Sequence, residues 1–230
     1  DETGKGDWHT EIAHALAPDH LSPRDTALFG PNSKYYQKNI AEAKALLQAA
    51  TGSDTLNVKV YANVDRYGAQ AQQTWELLKS LVAEGGFNVE LVFQEYGSYI
   101  QSTYLGNMTD GIGVGPLIGS PRDPNDQYSR NYESTSPRNH WGGTPIEEMG
   151  RIDELIAKQR TILDVEERVA FIHDMQREMA EYMLVVPYTA TPGYTYVQPW
   201  VKGWYHKIGY AVHKASISQA WFTDERIARG

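Results

Sequence analysis

The sequence predicts an α/β domain, and three consecutive stretches carry that expectation. Residues 56–62 alternate Leu56, Val58, Val60 and Ala62 with Asn57, Lys59 and Tyr61, the period of a strand with one apolar face. Residues 67–84 set Ala71, Trp75, Leu78 and Val82 at helical spacing, and Gly85-Gly86 supplies the stop. Residues 87–93 alternate again through Phe87, Val89, Leu91 and Phe93. Strand, helix and strand in succession form a βαβ unit, whose strands are expected to run parallel with a right-handed crossover.

The remaining elements follow in chain order. Residues 1–38 read as a loop-rich lead-in, punctuated by Pro18, Pro23, Gly30 and Pro31 and without a sustained apolar period. A helix over about 40–50 has Asn39 as N-cap with Glu42 three residues on, a stripe of Ile40, Ala43, Leu47 and Ala50, and Gly52 past its end. Tyr96 to Leu105 reads as a short helix and Gly111 to Val114 as a short strand. Residues 115–146 are a polar segment rich in Pro, Asn, Asp and Ser, expected to be a long loop, and such loops are usually functional or disordered. Helices are expected near 146–160 and 165–183. The second carries Val165, Val169, Ile172, Met175, Met179 and Met183 at spacings of three and four, with Asp164 and Glu167 as a capping box. Leu184 to Tyr188 and Tyr194 to Val197 read as strands, and residues 200–230 as a tail of little periodicity.

Composition narrows the function classes. With 230 residues, 41% hydrophobic and 22% charged, the chain has the makeup of a globular protein with enough length for a proper core. No run approaches the roughly 18 apolar residues of a membrane span. A net charge of −8 argues against nucleic acid, which demands clustered Lys and Arg. The absence of cysteine excludes disulfides, thiolate metal sites and Cys nucleophiles. The chain opens Asp1-Glu2-Thr3-Gly4 with neither a basic n-region nor an apolar h-region, which is expected of a processed protein or an interior piece of a longer one.

Few motifs point to chemistry. Gly111-x-Gly113-x-Gly115 follows a strand, but a dinucleotide fingerprint needs Gly or Ala where Pro116 stands. His9, His14 and His20 are spaced at five and six residues, which suits neither helical pairing nor a zinc-finger step. No G-x-S-x-G elbow occurs, and Glu147-Glu148 is explained by a helix start. No catalytic residue, metal or cofactor is therefore expected. The polar segment does hold three large rings, Tyr128, Tyr132 and Trp141, beside Arg122, Asp123, Asn131, Asn139 and His140. Aromatic faces with a few polar groups line small-ligand clefts. The same rings could instead pack back onto their own domain, and the sequence leaves both readings open.

Several short motifs occur in an order that resembles a known family. Asn39 to Leu47 reads N-I-A-E-A-K-A-L-L, Asp164 to Arg168 reads D-V-E-E-R, and Val185-Val186-Pro187-Tyr188 and Gln198-Pro199-Trp200-Val201-Lys202-Gly203 follow. Taken together over roughly residues 30–205, they resemble the second lobe of the family 5 extracellular solute-binding proteins of ABC transporters, which capture dipeptides, oligopeptides and nickel complexes. The resemblance implies a periplasmic-binding-protein-like (type II) lobe, with a mixed sheet and flanking helices. It implies residues 1–30 as lead-in and hinge, 31–190 as the solute-binding lobe, and 191–230 as a C-terminal segment returning toward a first lobe absent from this sequence. The hinge would cross near residues 1–10 and 187–195. The implied cleft wall includes Ser120, Arg122, Asp123, Tyr128, Asn139 and Trp141.

The resemblance also implies a non-enzymatic, monomeric receptor that hands a small solute to a membrane permease. Its place would be periplasmic or extracellular, with lipid anchoring in the full-length form, and its partners would not include nucleic acid. One departure limits the ligand. Peptide-binding members carry an Asp four residues before the loop proline and a Trp three residues ahead of that Asp; aligned on Pro124, these positions hold Ser120 and Leu117. A neutral hydroxyl cannot supply the charge-assisted bond that an ammonium group needs on leaving water. A hydrolase acting on carbohydrate or ester, or a non-catalytic interaction module, are the competing readings.

Overall fold

In the computed structural model, which describes residues 8–66, 69–105, 110–115, 123–139, 146–187, 196–205 and 217–223, the chain begins with a strap. Residues 8–21 form turns and bends laid over the helical layer, followed by a short helix α1 (Thr26–Phe29) and a 3-10 helix (Pro31–Tyr36). This segment lacks periodicity, as expected, yet it contributes core: Ile12, Leu16, Leu21 and Phe29 are all buried. Without a helix or strand to impose a period, apolar residues here are placed one at a time by what they meet across the chain.

Helix α2 (Ile40–Thr51) has the predicted ends. Asn39 Oδ1 accepts the Glu42 N–H at 3.1 Å, and Gly52 closes the helix in the left-handed region at φ 76°. Its predicted stripe is corrected: Leu47 is buried, but Ile40 is 37% exposed and Ala50 is exposed too. The helix touches its neighbours along a narrow seam, where Ala43 and Leu47 meet the Gly85-Gly86 turn, so only the middle of the stripe is covered.

The βαβ unit forms as predicted. Strand β1 (Leu56–Asn63) and strand β2 (Phe87–Gln94) pair in parallel from Leu56↔Phe87 to Asn63↔Gln94, with helix α3 (Ala69–Ala83) between them packed against β2. Trp75 is the buried anchor of α3, whereas Leu77 and Leu81 face outward. After β2, helix α4 (Tyr96–Tyr99) runs directly into a π-helical turn (Ile100–Tyr104). Strand β3 (Gly111–Gly113) then joins β1 on its other side, again parallel, giving the order β2-β1-β3. A side chain at Gly111 would lie 2.5 Å from the Lys59 carbonyl oxygen and 2.8 Å from the Tyr61 ring, so glycine there is a packing requirement rather than part of a nucleotide loop.

The polar segment holds the main correction. Instead of a continuous loop it contains helix α5 (Pro124–Asn131), capped by Asp123, whose Oδ1 accepts the Asn125 N–H at 2.9 Å. Gln127, Tyr128, Asn131 and Tyr132 fall at helical spacing and are all buried. Half of that face is amide side chains, which is why its periodicity does not register as apolar. Helices α6 (Met149–Gln159) and α7 (Val165–Tyr182) complete the layer. Tyr128 and Tyr132 join Ile12, Leu16, Ile152, Leu155, Ile156, Ile172, Met175 and Met179 in one hydrophobic cluster. Asp164 caps α7 by accepting the Glu167 N–H at 2.9 Å, and Met183 ends it at φ 41°. The α7 stripe is buried through Ile172, Met175 and Met179, but Val165 is 72% exposed because the first turn overhangs the α6–α7 corner.

The predicted strand at 184–188 is not formed over residues 184–187, nor is one formed at Tyr196 and Val197; Tyr188, Tyr194 and Thr195 lie outside the described residues. In the tail, where no element was expected, strands β4 (Val201–Lys202) and β5 (Trp221–Phe222) make an antiparallel pair. Among the described residues no helix is long and apolar enough to cross a membrane.

Candidate functional site

All three parallel strands end on one edge, and in open α/β sheets ligands bind outside the carboxyl ends of the strands. Asn63 ends β1, Gln94 ends β2, and Val114 follows β3 with its N–H bonded to the Tyr61 carbonyl at 3.0 Å. Asn63 is 2% exposed, and its Nδ2 donates to the Gln94 carbonyl at 3.0 Å and to Asp65. Asp65 in turn accepts the Tyr96 N–H at 3.2 Å. Desolvation alone would raise the Asp65 carboxyl, but hydrogen bonds from Asn63 and from the Tyr96 and Arg66 amides together hold it below the usual range. The Arg66 guanidinium lies 4.5 Å from the centre of the Tyr96 ring, a cation–π stack on the exposed rim. Thr103 donates to Gln94 Oε1 at 2.6 Å. Tyr99 donates to the Val114 carbonyl, and a side chain at Gly115 would meet the Tyr99 hydroxyl at 2.5 Å and the Tyr104 ring at 3.0 Å. The edge is thus a bonded frame of Asn63, Thr103 and Tyr99 that carries the Asp65 carboxylate, the Arg66 guanidinium and aromatic surface, a set suited to holding a polar solute.

Of the cleft-wall residues singled out from the sequence, Asp123, Tyr128 and Asn139 are described, and all three lie on or just beside α5. Ser120, Arg122 and Trp141, with Leu117 and His140, lie outside the described residues. Asp123 has its side chain half exposed and is paired with Arg168 Nη2 at 3.1 Å. Tyr128 is fully buried in the helical core, so the packing reading describes its placement in this chain. Asn139 is buried, and its Nδ2 donates to the Ser134 carbonyl at 3.0 Å, bracing the loop after α5. That loop is tied further by Ser134 to Asp153 and by the paired bonds of Arg160 to Glu133.

The start of α5 is gripped from two helices. Gln159 Nε2 and Arg160 Nε donate to Asn125 Oδ1 at 2.6 and 2.8 Å, and Arg168 Nη2 bridges Gln159 Oε1 and Asp123. The strand-edge residues Asn63, Asp65, Arg66 and Tyr96 were missed from sequence. The local signal that could have found them is their position just past two predicted parallel strands.

Elsewhere, a concavity of about 750 Å³ opens near the amino ends of the strands, lined by Asn57, Lys59, Lys79, Asn88, Glu90 and Asp110. Two of its charges engage each other, Lys59 donating to Asp110 at 2.8 Å, and the Tyr61 hydroxyl donates to the same carboxylate at 2.6 Å. It lies at the end of the sheet opposite the edge described above. Among the described residues no group of three or more His, Asp or Glu side chains could hold a metal ion.

Compared by sequence alone, the chain matches no family model and none of the curated proteins. Compared by structure, it matches solved binding proteins with TM-scores well above chance. The agropinic acid complex of the binding protein AgaA from A. tumefaciens R10 superimposes with a TM-score of 0.67 at 19% identity, covering 96% of this chain and 43% of that one. The periplasmic binding protein DppA from Helicobacter pylori, in complex with the peptide STSA, gives 0.68 at 16% identity, covering 96% and 40%. NikA from Staphylococcus aureus, bound to Ni(L-His)2, gives 0.55 at 17% identity, covering 73% and 32%. The chain therefore has the periplasmic-binding-protein-like α/β fold, and it spans less than half the length of these proteins.

Proposed function

We propose that the chain is the ligand-binding lobe of a solute receptor that works with an ABC transporter. The strand-edge constellation carries this reading: the parallel strands β1 and β2 deliver Asn63, Asp65, Arg66 and Tyr96 to the one edge where such sheets bind ligands. The structural neighbours, which are binding proteins for a peptide, an opine and a nickel chelate, support it. On this reading the lobe forms one wall of a cleft, a second lobe forms the other, and closure makes the shape a membrane permease recognises. In this proposal Ser120, Arg122, Asp123 and Trp141 are further candidates for contact with the solute, while the buried Tyr128 and Asn139 contribute through packing and through bracing the loop after α5. The receptor acts as a monomer without turnover, in the periplasm or outside the cell, and lipid anchoring belongs to the full-length form.

The test is calorimetric titration of the two-lobe protein with a panel of short peptides, opines, sugars and metal chelates. The expected result is one tight binder whose affinity falls at least tenfold in Arg66→Ala, with the unfolding temperature unchanged. A binder indifferent to Arg66→Ala and to Asp65→Asn would remove the strand edge from the site, and an empty panel would overturn the receptor reading.

A further inference from the structure

Glu11 is the single acidic or basic side chain in the buried class among the described residues. It sits in the strap between Thr10 and Ile12, both of them fully buried. Its Oε1 accepts a hydrogen bond from the Tyr36 hydroxyl at 3.1 Å, while Oε2 is buried without a hydrogen-bond partner among the described residues. The groups facing it are uncharged phenols: Tyr36 from the 3-10 helix, and Tyr128 and Tyr132 from α5, whose own ionisation burial pushes upward. From α7 the strap meets the neutral Gln176 at Thr10. Of the charged side chains of α7, Arg177 pairs with Asp174, Arg168 with Asp123 and Glu178 with Arg151, and the titratable His173 meets the strap directly, its Nε2 lying 3.0 Å from the Pro18 carbonyl oxygen. Asp19 faces Arg168, Asp123 and His173, and the histidines His9, His14 and His173 surround His20 at the far end of the strap.

A buried carboxylate without a cation must take a proton or reach water. The strap is the element able to give way. It has no ladder of backbone bonds and is fastened by side chains, with Gln127 Oε1 accepting the Ala13 N–H at 2.8 Å and Gln176 holding both ends. Segments of this kind open locally at less cost than the whole fold. We propose that Glu11 is a proton-operated latch: with its carboxyl protonated, residues 8–21 stay docked on α5 and α7, and loss of the proton favours a state in which the strap lifts and Glu11 meets solvent.

The direction follows from linkage. Burial pushes the Glu11 carboxyl from 4.5 to about 7, so the docking it favours is complete below 4.5 and is lost as the pH rises through about 7. His20 opposes it from the acid side. Burial, then the neighbouring His14 and His9, lower it from 6.5 to about 4, so its contribution is present above 6.5 and fades as the pH falls. The latch rests on the strap and core, not on the receptor reading.

The test compares amide hydrogen exchange of residues 10–21 in the wild-type protein and Glu11→Gln, so that the His20 contribution, common to both, cancels. The protection of Glu11→Gln relative to wild type is expected to rise by roughly fifty-fold between pH 5 and pH 8. A ratio independent of pH overturns the latch. If Glu11→Gln does not fold, Tyr36→Phe decides. Removing the hydroxyl that stabilises the docked carboxylate should speed strap exchange relative to wild type more at pH 8 than at pH 5, and a ratio that is the same at both pH values overturns the proposal.

Discussion

Gln176 and Thr10 fasten helix to strap: Gln176 Oε1 accepts from the Thr10 hydroxyl at 2.8 Å and also from the Leu21 N–H at 2.9 Å. The same amide donates through Nε2 to the Asp19 carbonyl at 2.8 Å and to the Ile172 carbonyl at 3.2 Å. One fully buried side chain of α7 thereby pins the strap at both of its ends.

Gln176→Leu keeps the volume but removes the partner of the Leu21 N–H and of the part-buried Asp19 carbonyl, and leaves the Thr10 hydroxyl only the Ile12 carbonyl at 3.5 Å. Each unmatched atom costs about 1–3 kcal/mol, so a total loss of about 3 kcal/mol or more is expected. Urea unfolding should show a lower midpoint at an unchanged slope. A loss under about 0.5 kcal/mol would mean that solvent replaces all three bonds.

His20 sets the acid limb of stability. Because burial holds its imidazole down at about 4, against 6.5 in the unfolded chain, its own contribution to stability should decline as the pH falls from 6.5 toward 4, against the opposing gain from protonation of Glu11. His20→Gln, which cannot titrate, should show a shallower decline over that interval when thermal unfolding is followed from pH 7 to pH 4. Parallel curves for the two proteins would show that His20 is not desolvated.

Two glycines separate conformational cost from steric cost. At Gly52, φ is 76° and a Cβ would meet open space, so Gly52→Ala should cost about 1 kcal/mol, the price of the left-handed region alone. At Gly86, φ is 99° and a Cβ would fall 2.2 Å from the Asp54 carbonyl oxygen. The Gly86 carbonyl also accepts the Leu56 N–H at 2.9 Å, which starts the β1–β2 register. Gly86→Ala should therefore cost several times as much as Gly52→Ala in the same unfolding assay, and equal costs would contradict the contact.

Ligand selection provides the last expectation. On the proposed receptor reading, with Ser120 and Leu117 where the family resembled in sequence carries Asp and Trp in its peptide-binding members, the two-lobe protein should bind a short peptide and its N-acetylated form within about tenfold of each other. Anchoring an ammonium group out of water takes a buried carboxylate, and truncating such a pair costs several kcal/mol. A hundredfold preference for the free amine, measured calorimetrically, would assign the anchor to another acid, and Asp123→Asn is the variant that would then abolish it.

The sequence by itself determined those features whose causes lie within a few residues. The parallel βαβ unit from Leu56 to Gln94 followed from alternation and helical spacing, the caps at Asn39 and Asp164 from side chains bonding to backbone three residues on, and the cap at Gly52 from a left-handed backbone whose N–H reaches the Gln48 carbonyl. The ordered motifs pointed to the fold that the structural matches bear out. Only the tertiary structure decided which polar residues are interior. Glu11, Gln127, Asn131, Gln159 and Gln176 look like surface residues in the sequence and are buried in the fold. Their partners, such as Tyr36 for Glu11 and Thr10 for Gln176, come from other elements of the chain. A polar side chain becomes affordable inside a protein only when a distant group arrives to complete its hydrogen bonds, and no local pattern encodes that arrival. The same reason placed Tyr128 and Tyr132 in the core: their helix supplies the period, but it is Ile12 and Leu16 from the strap that close over them.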